Sequence, residues 1–417
     1  MIELKFDMVQ TMAIAAALLF VGNYIKQRVC VIKRYYIPAP VVSGIIASLI
    51  ILFGRQTGLF SVTFDVTLQS LFMNAFFTTV GFMASLKLLS QGGLGVVVML
   101  FAATLLLTLQ NIIGCSLASV FDLDPKFGLI TGSVSLTGGH GTVGAFGKTI
   151  EDLGVVGAQT AGFAAATYGL IVGCLIGGPI GKILLKRHKV KVHNDKAEEE
   201  VINAEPTKDV VSTDTRPDPF SGTNLINATV CIAISMGLGS LVAPYVKAHT
   251  LWLMKDGLML PSYLGPMLIA ALIRNITDFA KRPIPMEAID SLGSISLSIF
   301  LSMAMMTMKI WELIDLAIPL ITILFVQTLL VILFVYFCTF RIMKIKAIGS
   351  PYDSTVICTG HCGFALGATP TAVANMTSFC EINGFSVKAF FIVPLIGSLF
   401  IDFINATVIT TFINVLG

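Results

Sequence analysis

Leu136-Thr-Gly-Gly-His-Gly-Thr-Val-Gly-Ala-Phe-Gly147 lies in a hydrophobic half of the chain, where a membrane helix is expected, yet it is glycine-rich and polar. A second version lies far downstream: Cys358-Thr-Gly-His-Cys-Gly-Phe-Ala-Leu-Gly-Ala-Thr-Pro-Thr371. Each carries a Thr-Gly step, a Gly-His pair and further small residues. Aligning Gly139-His140 with Gly360-His361 gives an offset of 221, a little over half of the 417 residues. The pair reads as one signature on each half of a duplicated protein.

The surrounding composition sets the solvent. The chain is 55% hydrophobic and 12% charged, against roughly 25% charged in soluble domains. Apolar runs of about 20 residues recur, each able to span a hydrocarbon core of roughly 30 Å. A soluble helical protein would need polar helix faces, and too few charges exist to supply them. The expected fold class is an all-α polytopic membrane protein. A net charge of +3 gives no sign of a nucleic-acid partner. The eight cysteines are scattered without zinc spacing. Cys358 and Cys362 stand four apart but lack a completing His/Cys set, so no metal or cofactor is expected. The first apolar run, Met8 to Tyr24, has no basic n-region or small-residue cleavage site and reads as a span, not a signal peptide.

Ten spans are expected. Five fall within 1–188, at about 8–25, 37–53, 71–89, 96–120 and 157–185; five fall within 221–417, at about 225–246, from 260, 292–308, 316–338 and 389–412. The charged stretch 189–220 between them reads as a solvated linker. Leu260-Pro261 repeats Ile37-Pro38 at an offset of 223, and Gln327 stands as a counterpart of Gln110. An odd number of spans per half forces the halves into opposite orientations, the inverted-repeat design of many carriers. Loops after spans 1, 3, 5, 7 and 9 hold 20 Lys and Arg, against 7 elsewhere. The positive-inside rule then places both termini outside and the linker in the cytoplasm.

The signatures are too polar for good spans and their flanks too apolar for solvated loops, although an extramembrane loop is the plainer alternative. A re-entrant helix–turn–helix hairpin, at about 128–147 and again at about 354–376, fits both facts. Broken backbone survives at membrane depth only when buried in protein or lining a wet cavity. Inverted symmetry brings the hairpins in from opposite sides, so that their tips meet. Half-helix N-termini there suit an anionic substrate, while freed carbonyls and threonine hydroxyls suit a hard cation such as Na⁺. Candidate substrate residues are Thr137, Gly138, Gly139, His140, Gly141 and Thr142 on the first tip, and Gly360, His361, Gly363, Thr369, Thr371 and Asn375 on the second. Glycine permits the tight turns, and Pro370 frees carbonyls.

His140 and His361 have two readings: donors to a carboxylate or proton carriers, or hydrogen-bonders of backbone that hold the tips in shape. Candidate Na⁺ ligands are Asp402, Asn405, Thr369 and Asn111. Asp402 also reads as the partner of a substrate ammonium, or as a wetted carboxylate near a helix end; an ionisable group at depth is costly and usually functional. Gln110, Gln327 and the asparagines fit interhelical hydrogen bonds as well as ligation. Met303, Met305, Met306 and Met308 read as lipid-facing or packing surface. No catalytic constellation is present, so an enzyme is not expected, and a channel would need a continuous polar pore.

Thr137-Gly-Gly-His-Gly-Thr142, Gly360-His-Cys-Gly-Phe-Ala-Leu-Gly-Ala-Thr-Pro-Thr-Ala-Val-Ala-Asn-Met376, Ile37-Pro-Ala-Pro40 and Phe400-Ile-Asp-Phe-Ile-Asn405 together closely resemble the bacterial sodium/glutamate symporter family, essentially end to end. The resemblance implies a homodimeric carrier of the cell inner membrane, embedded in lipid, that uses the Na⁺ gradient to import L-glutamate. It also implies two re-entrant loops at the translocation site and elevator-like movement against a dimer scaffold. Thr137 departs from the Ser frequent in the family. A Na⁺-coupled symporter of another dicarboxylate, such as citrate, malate or aspartate, is the nearest alternative.

Overall fold

In a computed structural model, residues 2–35, 37–87, 93–190, 220–249, 261–282, 284–313, 316–345 and 348–416 are described; the charged linker expected at 189–220 falls almost wholly outside them. The chain is helical where its apolar runs are. Helices α1 (Met8–Arg28), α2 (Ala39–Gln56), α3 (Thr67–Met83), α4 (Gly93–Val120), α5 (Gly139–Asp152) and α6 (Ala158–His188) make up the first half. The second half holds α7 (Gly222–Gly239), α8 (Leu264–Phe279), α9 (Met286–Met306), α10 (Ala317–Phe334), α11 (Pro351–Leu366), α12 (Thr369–Asn383), α13 (Val387–Leu395) and α14 (Ile401–Leu416).

Among the described residues, seven helical stretches are long and apolar enough to cross a membrane, and a bent pair running through α13 and α14 makes an eighth. This is a polytopic membrane protein. At 1.5 Å per residue, the 17 residues of α3 and the 16 of α8 reach only about 24–26 Å. They occupy two of the ten expected spans.

One short β ladder accompanies the helices. Ile2–Phe6 (β1) and Phe60–Phe64 (β2) pair as a parallel ladder, Ile2 opposite Phe60 through Phe6 opposite Phe64. Both sequences alternate apolar and polar residues, the period of a half-buried strand. Asp7 closes β1 by accepting the Val9 and Gln10 N–H groups, which starts α1 with a capping box. Because α1 leaves this end and α2 returns to it, residues 2–6 and the turn after α2 share one face.

The other connections sort by face as well. Arg55 and the β2 segment meet Lys148, Glu151, Lys309 and Trp311 around a charged cavity of about 390 Å³, with the Arg55 guanidinium 4.6 Å above the Trp311 ring. Elsewhere the ends of α3 and α8 are joined: Ser85 Oγ donates to Asp278 Oδ2 at 2.5 Å, and Leu86 N donates to Asn275 Oδ1 at 2.8 Å. The last turn of α6 meets the chain beyond α10, His188 lying 4.5 Å from the Phe340 ring.

Both expected hairpins are helix–break–helix units. In the first, Asp124 caps a short helix, Pro125–Leu129, that continues into a π-turn, Ile130–Val134. Gly132 breaks it with φ −100°, ψ −129°, and α5 follows. In the second, α11 and α12 are separated at Gly367 and Ala368, the latter fully extended. A third break was not expected: the span at 389–412 is bent by 43° between its two halves, after Pro394 and a π-turn at Ile396–Phe400. Met303, Met305, Met306 and Met308 are buried, so their surface is internal packing and not lipid-facing.

Backbone-to-backbone contact seats the first hairpin. A Cβ on Gly128 would lie 2.1 Å from Gly114 C, and one on Gly114 would lie 2.2 Å from Gly128 O. A larger residue must part α4 from the hairpin. Gly128→Leu is expected to lower the thermal unfolding midpoint in detergent, with a cost of about 1–3 kcal/mol or more from overpacking; an unchanged midpoint would show that the helices can separate freely.

Candidate functional site

The two broken hairpins meet at a cavity of about 350 Å³. The first contributes Thr137 to Gly141, and the second contributes Phe364 and Gly367 to Pro370. Ser398 and Asp402 enter from either side of the bend in the last span, and Pro38 and Pro40 from the start of α2. Leu297, Ser298 and Leu301 of α9, with Phe76 and Leu170, complete the wall. A Cβ on Gly139 would sit 3.6 Å from Gly367 O, so the tips touch. Gly139 itself has φ +65°, which an L side chain tolerates poorly. A second cavity of about 610 Å³ shares Thr369, Pro370 and Ser398 and runs along α12 to Thr377 and Ser378.

Two helix N-termini open on this space. α5 starts after Gly138 and α12 after Ala368, and neither has a side-chain cap. Asp7, Asp124, Ser221, Ser350 and Ser386 cap helix starts elsewhere. The first turn of each helix leaves backbone N–H groups without intrahelical partners, and the macrodipole adds roughly half a positive charge there. No lysine or arginine among the described residues lines the cavity. The arrangement can therefore bind anionic groups through backbone N–H and partial charge.

Gln110 and a direct hydrogen bond from Thr137 Oγ1 to Ala365 O at 3.4 Å fasten the tips together. Gln110 of α4, fully buried, donates from Nε2 to Ala365 O at 3.0 Å. Its Oε1 accepts from Thr137 Oγ1 at 2.8 Å. Gln327 of α10 in turn donates to Gln110 O at 2.7 Å.

The residues singled out in the sequence divide into wall and support. Thr137, Gly138, Gly139, His140, Gly141, Thr369 and Asp402 line the cavity. Thr142 lies one turn further along α5 and donates to Gly138 O. Gly360, His361, Gly363, Thr371 and Asn375 are buried behind the second tip. Asn375 Nδ2 donates to Gly173 O and Thr359 O at 2.8 and 3.3 Å. Asn111 and Asn405 also stand behind the wall, and both hold Ser133: Asn111 Oδ1 accepts its N–H and Asn405 Nδ2 donates to its O, each at 3.0 Å.

The histidines differ. The Thr167 hydroxyl donates to Phe163 O, so its 3.0 Å contact with His140 Nε2 requires the imidazole to be the donor. His140 is then fixed with Nε2–H on Thr167 while its ring borders the cavity. His361 lies outside the wall, stacked on Phe364 at 4.8 Å, with Nδ1 3.0 Å from Thr339 Oγ1. Sequence reasoning did not find Ser298, Ser398 or Ser133. Ser398 follows Gly397 within an apolar run, the small-residue pair that marks the break, and this was the available signal.

The family model for the sodium/glutamate symporter matches residues 4–385. The chain is 36% identical over 406 residues to a sodium/glutamate symporter of Haemophilus influenzae, covering 97% of this chain and 96% of that protein. It is 38% identical over 411 residues to one of Escherichia coli K12, covering 98% and 97%.

Gln110→Ala should separate the tips without touching the cavity wall. Removing the amide leaves the Thr137 hydroxyl and Ala365 O only their direct 3.4 Å contact with each other, and a buried polar group short of a partner costs about 1–3 kcal/mol. Hydrogen exchange at residues 137–141 and 365–369 should accelerate in the variant. Unchanged protection there would mean that other contacts hold the tips.

Proposed function

The chain belongs to the sodium/glutamate symporter family, and from that premise we propose that it is a secondary carrier that imports L-glutamate on the Na⁺ gradient. It is a transporter and not an enzyme. The observation that carries the site is the pair of uncapped helix N-termini, α5 and α12, facing one cavity between touching tips. Glutamate has two carboxylates, and each finds a helix start where backbone N–H groups and the dipole favour an anion. Thr137, His140 and Thr369 supply polar contacts in the same wall.

Alternating access needs a site that one side reaches at a time. The larger cavity that continues from Thr369 and Ser398 along α12 supports an opening on the side from which the second hairpin enters. We assign that side to the cytoplasm. Lys and Arg are concentrated there, and the end of α6 packs against the chain beyond α10 on that face. Ten spans in two inverted five-helix repeats, 1–188 and 221–417, fit the way the ends group: β1 with the turn after α2 and with 148–152, α3 with α8, α6 with α10. The short α3 and α8 count as spans in this reading. Both termini then lie outside, in the cell inner membrane. The homodimer and the elevator-like movement rest on the family resemblance.

Na⁺ is the coupling ion. Binding that orders the tips raises affinity for the dicarboxylate, and linkage requires the dicarboxylate to raise Na⁺ affinity by the same factor. Purified protein in proteoliposomes should accumulate labelled L-glutamate under an inward Na⁺ gradient and lose that accumulation when Na⁺ is replaced by choline. Equal accumulation under a proton gradient without Na⁺ would overturn the coupling assignment.

A further inference from the structure

The four residues that the sequence offered as one Na⁺ site occupy two places. Asn405 and Asn111 are fully buried behind the first tip, where Asn405 Nδ2 and Asn111 Oδ1 hold the Ser133 backbone and Asn405 Oδ1 has no hydrogen-bond partner among the described residues. Asp402 and Thr369 line the cavity. Asn405 is not part of the cavity wall, so of that set the wall offers Asp402 only Thr369. A hard cation takes about six oxygen ligands. No hydrogen bond or ion pair from another described residue reaches the Asp402 carboxylate, and it is the one ionisable acid among the described residues of the wall.

Charge placement in the cavity indicates its partner. The helix starts at Gly139 and Thr369 each present a positive dipole end, which attracts carboxylates and repels an ammonium. An amino dicarboxylate bound by those two poles has its third pole, the ammonium, left to place. Asp402, in the first turn of the second half of the bent span, is the negative charge available to it.

We propose that the Asp402 carboxylate receives the α-ammonium of the substrate and makes the carrier select an amino dicarboxylate over a dicarboxylate of the same length without the amine. This rests on the sodium/glutamate reading above. A buried polar group built for one partner discriminates strongly against an analogue lacking it, because its own bonds then go unmade. Asp402 is thus a specificity-determining residue, and Na⁺ is bound elsewhere.

The test compares L-glutamate with glutarate, which has both carboxylates and no amine, in wild-type and Asp402→Asn protein. Binding is read by competition with labelled L-glutamate and by thermal shift, and each curve is repeated across a Na⁺ titration. In the wild type, glutarate should bind at least about 100-fold more weakly than glutamate. In Asp402→Asn, glutamate affinity should fall by about tenfold or more while glutarate affinity holds or improves, so that the ratio collapses. The Na⁺ midpoint measured with glutarate should move by less than about threefold, since no Na⁺ ligand has been lost. Asp402→Glu, which keeps the carboxylate, should retain the preference for glutamate.

A preserved glutamate preference together with a raised Na⁺ midpoint would overturn the proposal and make Asp402 a cation ligand. Loss of glutarate and glutamate binding together in a variant with an unchanged unfolding midpoint would overturn it too. So would loss of preference in Asp402→Glu. Failure of the parent reading looks different: the wild type itself would show no Na⁺-driven glutamate uptake.

Discussion

A helix broken inside a bilayer strands N–H and C=O groups where no water can take them. Each one left unpaired costs about 1–3 kcal/mol. In this protein, carboxamide side chains from neighbouring helices answer for the breaks. Asn111 accepts from Ser133 N and Asn405 donates to Ser133 O, just beyond the Gly132 break. Gln110 serves Ala365 O, next to the Gly367 break, and Gln327 holds the backbone of Gln110. Asn375 ties α12 back to α6 and α11. With the broken backbone paired through these amides, the uncapped first turns of α5 and α12 face the cavity.

That division of labour shapes the electrostatics of transport. A lysine or arginine in the wall would hold an anion through a full charge. The partial charges of two helix ends would hold it more weakly, in fixed directions and without a flexible side chain to reorganise. A carrier must release what it binds, so moderate and geometrically exact recognition serves it better than strong attraction. His140 fits the same logic, since its Nε2–H is already engaged by Thr167 and the ring is held at the border of the cavity.

Much of this was legible in the sequence because local chemistry conflicted with its surroundings. Thr137 to Thr142 and Gly360 to Thr371 are too polar and glycine-rich for their apolar flanks, and that conflict located both hairpins. Their meeting was expected from the repeated signature and the odd number of expected spans. What was not legible depended on orientation. Asp402 and Asn405 are three residues apart on one helix, which suggested a common ligand, yet Asp402 lines the cavity and Asn405 stands behind its wall, donating to Ser133 O. Ser298 and Ser398 are ordinary small residues in membrane helices until their facing is known. The methionines at 303, 305, 306 and 308 look alike in a lipid-facing or an internal stripe, and burial alone separates the two. The alternation in Ile2 to Phe6 and Phe60 to Phe64 was readable, but two five-residue segments 58 apart do not disclose that they pair.

The parallel ladder between those segments has a consequence for biogenesis. β1 is synthesised before β2, and its partner cannot reach it until residue 64 has been synthesised and α2 has crossed back. Until then its edge has no strand beside it. The closing of five backbone pairs is therefore conditional on correct insertion of the first two helices as an antiparallel pair. A chain whose α2 failed to cross would keep that edge open on one side of the bilayer and leave β2 on the other.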